Sequence, residues 1–208
     1  MMANLVIADD EPLARRQLKE TLARIGHVVV GEASGDEHAL VLARSLRPDA
    51  VLIDLGPENR DPFSTARTLA RERLAAVVLL AGEEAGALRA TVIQRTSDAG
   101  VLAFVRKPAR AEDLEPALAI AIGRFREIAA LETQVRTLTE RMEARKLVGR
   151  AKALLMERQG LSEREAFTRI QTQSLALNKP AHEIARAIVL ASEMAPPPPA
   201  PSGGAEAS

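Results

Sequence analysis

The chain has 208 residues, is 47% hydrophobic and 27% charged, and balances 28 Lys+Arg against 28 Asp+Glu. That length has room for one or two domains, and the composition is that of an ordinary globular protein. The absence of cysteine excludes a disulfide framework and a thiolate metal site. No apolar run reaches the roughly 18–20 residues that span a bilayer, and Met1-Met2-Ala3-Asn4 does not open a signal peptide, so a cytoplasmic location with no membrane partner is expected.

Short β-branched runs at 4–8, 28–32, 50–54, 76–80 and 101–105 alternate with helical patterns near 12–25, 36–46, 62–73, 84–98 and from 111 onward. Alternation of this kind predicts repeated βα units around a parallel sheet with helices on both faces. Ala50-Val51-Leu52-Ile53 and the run from Ala75 to Leu80 are apolar throughout, as central strands buried on two sides must be. Right-handed crossovers then give an α/β fold with a doubly wound, five-stranded parallel sheet.

Four polar clusters end these runs: Asp9-Asp10-Glu11, Asp54, the stretch to Gly82, and Arg106-Lys107-Pro108. Each falls at the carboxyl end of a strand, the edge where open parallel sheets bind ligands. Phosphoryl transfer to a carboxylate needs a nucleophilic oxygen, a cation for the developing charge and an opposing positive group. Asp54 is placed to be the nucleophile. Asp9, Asp10, Asp54 and a backbone carbonyl near Gly56 form an oxygen-rich set suited to Mg2+, which keeps waters that phosphoryl oxygens can replace. Lys107 can reach the phosphate on its flexible stem. Pro108 admits a cis peptide bond that would hold the lysine's loop in a tight turn.

This arrangement resembles the response-regulator receiver domain, with a flavodoxin-like sheet; the resemblance covers residues 3–122 of a domain read as 1–122. The resemblance implies that Asp54 is the phosphoacceptor, Asp9 and Asp10 the acidic pair and Lys107 the phosphate contact, with a sensor histidine kinase or a small phosphodonor upstream. It also puts the family's switch positions at Ala81 and Phe104. Two departures stand out: Ala81 replaces the usual Ser or Thr, and Pro62 stands in the loop after Asp54 where glycine is common. Two readings follow, a phosphorylation-dependent switch and a weakly switching receiver that serves as a dimerisation platform.

Beyond Arg110 the helical pattern continues. Ile128, Leu131, Val135, Leu138 and Met142 recur at spacings of three and four, a coiled-coil seam of about two heptads. A homodimer is expected from it, with a helix packed on its own domain as the alternative; the stretch 123–148 is read as this linker helix. The stripe then moves to Val148, Ala151, Leu154 and Leu155, and residues 147–193 read as an all-α bundle of three helical segments. Gly160 ends the first at a left-handed cap. Ser162 with Glu165 forms a capping box that opens the second, whose apolar face is read as Ala166, Phe167, Ile170 and Leu175. Asn178-Lys179-Pro180 breaks it, and Ile184, Ala185, Ile188 and Val189 line the third. Residues 195–208, rich in Pro, Ala, Gly and Ser, read as a disordered tail.

The segments from Gly149 to Met156, Gly160-Leu161-Ser162, Glu165-Ala166-Phe167 and Glu183-Ile184-Ala185 resemble the ANTAR domain over residues 131–192. That resemblance implies recognition of hairpin RNA in nascent transcripts and transcription antitermination. Residues 131–194 hold 11 Lys+Arg against 8 Asp+Glu, a basic excess that suits a phosphate backbone. Arg150, Lys152, Arg158, Arg169 and Lys179 are the candidate phosphate contacts, with Gln171 and Asn178 for bases or riboses. Phe167 is expected in the core, leaving no aromatic platform for single-stranded bases.

Two other outputs compete: a DNA-binding module and a protein-interaction adaptor. The last segment opens Ala181-His182-Glu183-Ile184, acidic and apolar where a DNA-reading helix is rich in Arg, Asn and Gln. No nucleophile–base pair or metal spacing marks the second half as an enzyme.

Overall fold

The computed structural model describes residues 2–56, 61–82, 95, 96 and 98–194. The loop residues 57–60, most of the helix expected at 84–98 and the tail 195–208 lie outside them; residues 95, 96 and 98 of that helix are helical. The chain divides into two compact units, Met1–Leu131 and Glu132–Ser208.

The first unit is built on β1 (Asn4–Ala8), β2 (Val28–Ala33), β3 (Ala50–Asp54), β4 (Ala76–Ala81) and β5 (Ala103–Arg106). They form one parallel sheet in the order β2-β1-β3-β4-β5. Sequence order reverses between β1 and β3, which opens a crevice at their carboxyl ends. Helices α1 (Pro12–Arg24), α2 (Asp36–Leu46) and α3 (Pro62–Arg71) cross between strands. Pro12 and Pro62 each sit in the first turn of their helix, where a missing N–H costs nothing and the fixed φ favours the entry. The fifth strand begins two residues later than its apolar run, although the Leu102 N–H already donates to the Val77 carbonyl at 3.0 Å. Helix α3 stops at Arg71 because Arg73 takes a left-handed φ of 52°.

Alternate residues of the central strands point to opposite layers. Leu5, Ile7, Leu52, Val78 and Leu80 meet Leu18 and Leu22 of α1 and Leu114 and Leu118 of α4 (Ala111–Gln159). Val6, Val51, Ile53, Val77 and Leu79 meet Ala39 and Ala43 of α2 and Phe63, Ala66 and Leu69 of α3. Leu5, Ile7, Leu52 and Ile53 are fully buried, worth about 1.5–3 kcal/mol each. This two-faced core fixes the strand ends, and with them the residues that follow.

Helix α4 runs 49 residues without interruption, so the seam residues and the first bundle segment are one helix. Leu131, Val135, Leu138 and Met142 are all more than half exposed along it. In the second unit, α5 (Glu163–Leu177) and α6 (Ala181–Met194) follow. Gly160 has φ +66° between α4 and α5. Ser162 and Glu165 form the reciprocal capping box: the Glu165 N–H donates to Ser162 Oγ and the Ser162 N–H to Glu165 Oε2. Asn178 caps α5 in the left-handed conformation. The core is Ala151, Leu155, Ala166, Ile170, Ile184, Ala185 and Val189.

Two residues assigned to the apolar face of α5 are not part of that core. Phe167 is 42% exposed and Leu175 83% exposed. The reason is angular. At about 100° per residue, Phe167 lies about 100° around the helix from Ala166, and Leu175 about 140° from Ile170. Only Ala166 and Ile170, four residues apart, share the buried face.

Candidate functional site

The crevice at the strand ends gathers the five residues expected there, Asp9, Asp10, Asp54, Gly56 and Lys107. Asp9 follows β1 and is 1% exposed; Asp54 ends β3 and is 7% exposed. Lys107 follows β5, and its N–H donates to the Ala81 carbonyl at 2.7 Å, extending the β4–β5 ladder by one residue. That step puts the lysine stem beside β3. Its Nζ lies 2.7 Å from Asp9 Oδ2 and 2.7 Å from Asp54 Oδ1. The Lys107–Pro108 peptide bond is cis.

The remaining carboxylate oxygens are also engaged. The Glu11 N–H donates to Asp9 Oδ1 at 2.9 Å, and the Gly56 N–H to Asp54 Oδ2 at 3.2 Å. Gly56, expected to contribute its carbonyl, thus meets Asp54 through its amide; its φ of 59° turns the chain sharply after β3. Arg15 was not anticipated: its Nη1 donates to the Asp9 carbonyl at 2.6 Å, tying α1 to the strand end. Its only sequence signal is a cation one turn into the helix that follows the acidic pair.

Burial pushes the Asp54 carboxyl above the usual carboxylate range. Its hydrogen bond to Lys107 and the lysine's charge pull it down, Asp9 pushes it up again, and the Gly56 N–H pulls down. Burial also works against the charge on Lys107, but hydrogen bonds to Asp54 and Asp9, with their charges, outweigh it and hold the ammonium above the usual lysine range. Both effects describe one compact array of two buried carboxylates clasping one cation.

Asp10 is exposed at the rim, and one carboxylate oxygen from each of Asp9, Asp10 and Asp54 lies within 4.8 Å of the others. Three carboxylates and one ammonium leave two net negative charges in an all-oxygen donor set. Hard divalent cations take such sets. The residues therefore fit Mg2+.

The switch positions differ in setting. Ala81 is fully buried at the end of β4, with a methyl where a hydroxyl would stand; Phe104 on β5 is 43% exposed.

In the second unit the seven candidate contacts do not form one patch. Arg158 and Arg169 line a cavity of about 260 Å³ with Gln159 and Gln173. There the Arg158 Nη2 donates to the Ser192 carbonyl at 2.7 Å and the Arg169 Nη1 to Gln159 Oε1 at 2.8 Å. Lys152 pairs with Glu163 and lines a different cavity. Arg150 pairs with Glu193 at 2.8 Å and Lys179 with Glu183 at 3.8 Å, while Gln171 is exposed and Asn178 serves as a helix cap. Exposed pairs of this kind are worth only about 0–1 kcal/mol, so an anionic ligand can displace them.

Comparison with known proteins covers both units. The response regulator receiver domain family model matches residues 5–119, and the ANTAR domain model residues 136–189. The transcriptional regulatory protein PdtaR of Mycobacterium tuberculosis is 41% identical over 171 residues, 82% of each chain. A positive alginate biosynthesis regulatory protein of Pseudomonas aeruginosa is 36% identical over 118 residues, 55% of this chain and 45% of its own. Among solved structures, the receiver domain of a modulated diguanylate cyclase from Desulfovibrio desulfuricans superposes with a TM-score of 0.53 at 24% identity, covering 61% of this chain and 98% of its own. That likeness shows the fold alone. With a receiver domain followed by an ANTAR domain, the chain belongs to the ANTAR-type response regulators of two-component systems.

Proposed function

We propose that Asp54 accepts a phosphoryl group from a sensor histidine kinase in the cytoplasm, and that this controls binding of hairpin RNA by the ANTAR domain to cause transcription antitermination. The observation that carries the first half is Lys107 Nζ at 2.7 Å from both Asp9 and Asp54 at the sheet's switch point. An Asp54 carboxylate oxygen attacks phosphorus, the P–N bond of the donor phosphohistidine breaks, and the imidazole leaves with the bonding pair. Asp54 becomes an acyl phosphate. Asp9, Asp10, Asp54 and the Gly56 carbonyl would hold Mg2+, which would supply charge neutralisation for the transferred group. Lys107 must release Asp54 Oδ1 for attack, and its ammonium then faces the new phosphate. Asp9 stays fixed by the Glu11 N–H throughout.

The second half rests on the ANTAR match and on a unit whose basic side chains are all at its surface or in open cavities. The exposed stripe Leu131, Val135, Leu138 and Met142 is the surface of a homodimer that brings two output units to one transcript. Ala81 favours one variation: with no hydroxyl to turn toward the phosphate, the receiver switches weakly and dimerisation carries more of the output.

Incubation with acetyl phosphate and Mg2+ adds one phosphoryl group, and Asp54→Asn abolishes it; equal labelling of the variant refutes the phosphoacceptor assignment. Gel shifts against two-hairpin RNA and matched duplex DNA test the output, and a preference for the duplex refutes it. Sedimentation with and without phosphodonor tests the dimer, which an unchanged monomer in both states excludes.

A further inference from the structure

Phe167 stands out in the second unit as a large aromatic that the bundle leaves 42% exposed. It faces a cavity of about 410 Å³ whose walls include Arg145, Val148, Gly149 and Lys152 of α4 and His182 at the start of α6. Three basic side chains line this cavity and no acidic one does, in a chain whose overall charge is zero. Arg145 and His182 are exposed, and among the described residues neither forms an ion pair. Lys152 is held by Glu163, a carboxylate at the surface that a phosphate can replace.

Gly149 supplies an independent observation. A glycine inside a helix costs about 0.5–1 kcal/mol relative to alanine. Here a Cβ would meet nothing within 4 Å, so no contact inside the unit requires its absence. Gly149 lines the same cavity as Phe167 and leaves open space at its wall.

An aromatic face, an open wall, the Arg145 guanidinium, the Lys152 ammonium and the His182 imidazole form a slot for a flat, electron-rich ring attached to an anion. Nucleobases of unpaired RNA have this chemistry; their free faces stack on aromatic side chains while arginine and lysine hold the adjoining phosphate. Bases within a duplex are stacked on their neighbours and cannot enter. We propose that Phe167 is a stacking platform for one unpaired base of the RNA loop, with Arg145, Lys152 and His182 on its flanking phosphate. This rests on the RNA-binding reading above and specifies how that RNA is read.

The test uses the full chain and a pool of two-hairpin RNAs with randomised loops, from which the wild-type protein selects its binders. Each loop nucleotide of a selected RNA is then replaced by an abasic one. One position should weaken wild-type binding by about 5- to 150-fold, the range of a lost base–aromatic stack. Phe167→Leu should show the same loss on the intact RNA and no further loss on the abasic one, whereas Phe167→Tyr should bind as wild type. Gly149→Leu, which adds a side chain at the cavity wall, should stabilise the free helix and still weaken binding. Arg145→Gln should lower the salt slope of binding by about 1.

A flat abasic scan overturns the inference, as does equal abasic loss in wild type and Phe167→Leu. Either result leaves RNA binding standing. Failure of the wild-type protein to select any RNA removes both readings. Circular dichroism of each variant confirms that the helices are intact, and the glycine variant keeps the outcome decisive if Phe167→Leu unfolds.

Discussion

Replacing Lys107 by methionine removes the one cation that touches both Asp9 and Asp54 and leaves two buried carboxylates facing each other. Their oxygens lie within 4.8 Å, where two unit charges at an effective dielectric constant near 20 repel by about 3.5 kcal/mol. Removing one partner from a buried ion pair costs about 3–5 kcal/mol. The Lys107 side chain is 26% exposed, so water penetrates and the lower end, about 3 kcal/mol, is expected at pH 8. The pH dependence has a definite sign. Without the lysine, burial and Asp9 raise the Asp54 carboxyl still further above its unfolded value. A carboxyl raised on folding contributes stability below its unfolded pKa and loses it as pH rises through the folded one. The variant's deficit should therefore shrink from pH 8 to pH 5. Mg2+ at about 100 times its dissociation constant restores about 2.7 kcal/mol, nearly the whole deficit, and Asp54→Asn in the same chain relieves the repulsion instead. Hydrogen exchange of peptides spanning 50–54 and 76–81, corrected for intrinsic rates, reads the receiver unit separately from the rest. Unchanged protection at pH 8, or a deficit larger at pH 5, would refute the reasoning.

Three further outcomes are expected. Ser162→Ala removes one arm of the capping box on α5 and should cost about 1 kcal/mol, measured as a lower denaturation midpoint of the second unit. Gly100 and Gly160 both have positive φ, but a Cβ on Gly100 would come within 2.7 Å of the Ala70 Cβ, while one on Gly160 meets nothing. Gly160→Ala should therefore cost only the left-handed backbone penalty of about 1–2 kcal/mol, and Gly100→Ala distinctly more, compared by urea denaturation. Leu138→Glu places a charge in the exposed stripe of α4 and should give a monomer by sedimentation with the receiver still phosphorylated.

The receiver half was legible because its signals are local. Uninterrupted β-branched runs mark strands buried on both faces. Asp9 and Lys107 each directly follow a strand and Asp54 ends one, so topology alone brings the three together. What did not show in the sequence was the detail of engagement. Arg15 reaches the Asp9 carbonyl through a helix turn, and Gly56 offers its N–H to Asp54. The output half was less legible on its surface. Its caps were written in Ser162, Glu165, Gly160 and Asn178, but which apolar residues face inward depends on helix rotation. Ala166, Phe167, Ile170 and Leu175 look like one stripe by spacing, but their angles around the helix leave Phe167 and Leu175 outside the core. Arg145 and His182 are far apart in the sequence, and only the fold sets them around the same cavity.

The bundle's small side chains have one more effect. Ala151, Ala166 and Ala185 are fully buried where the helices meet, beside the buried Leu155, Ile170, Ile184 and Val189 and the partly buried Leu147, Val148, Leu154, Leu161 and Ile188. Backbones in such close approach leave no room to absorb an added methyl or two, and overpacking costs about 1–3 kcal/mol. A module this small has little reserve against that loss. Alanine-to-valine changes at these three places should thus give proteins that still take up phosphate at full rate but deliver no message, a class of signalling-dead alleles that a screen for kinase response alone would miss.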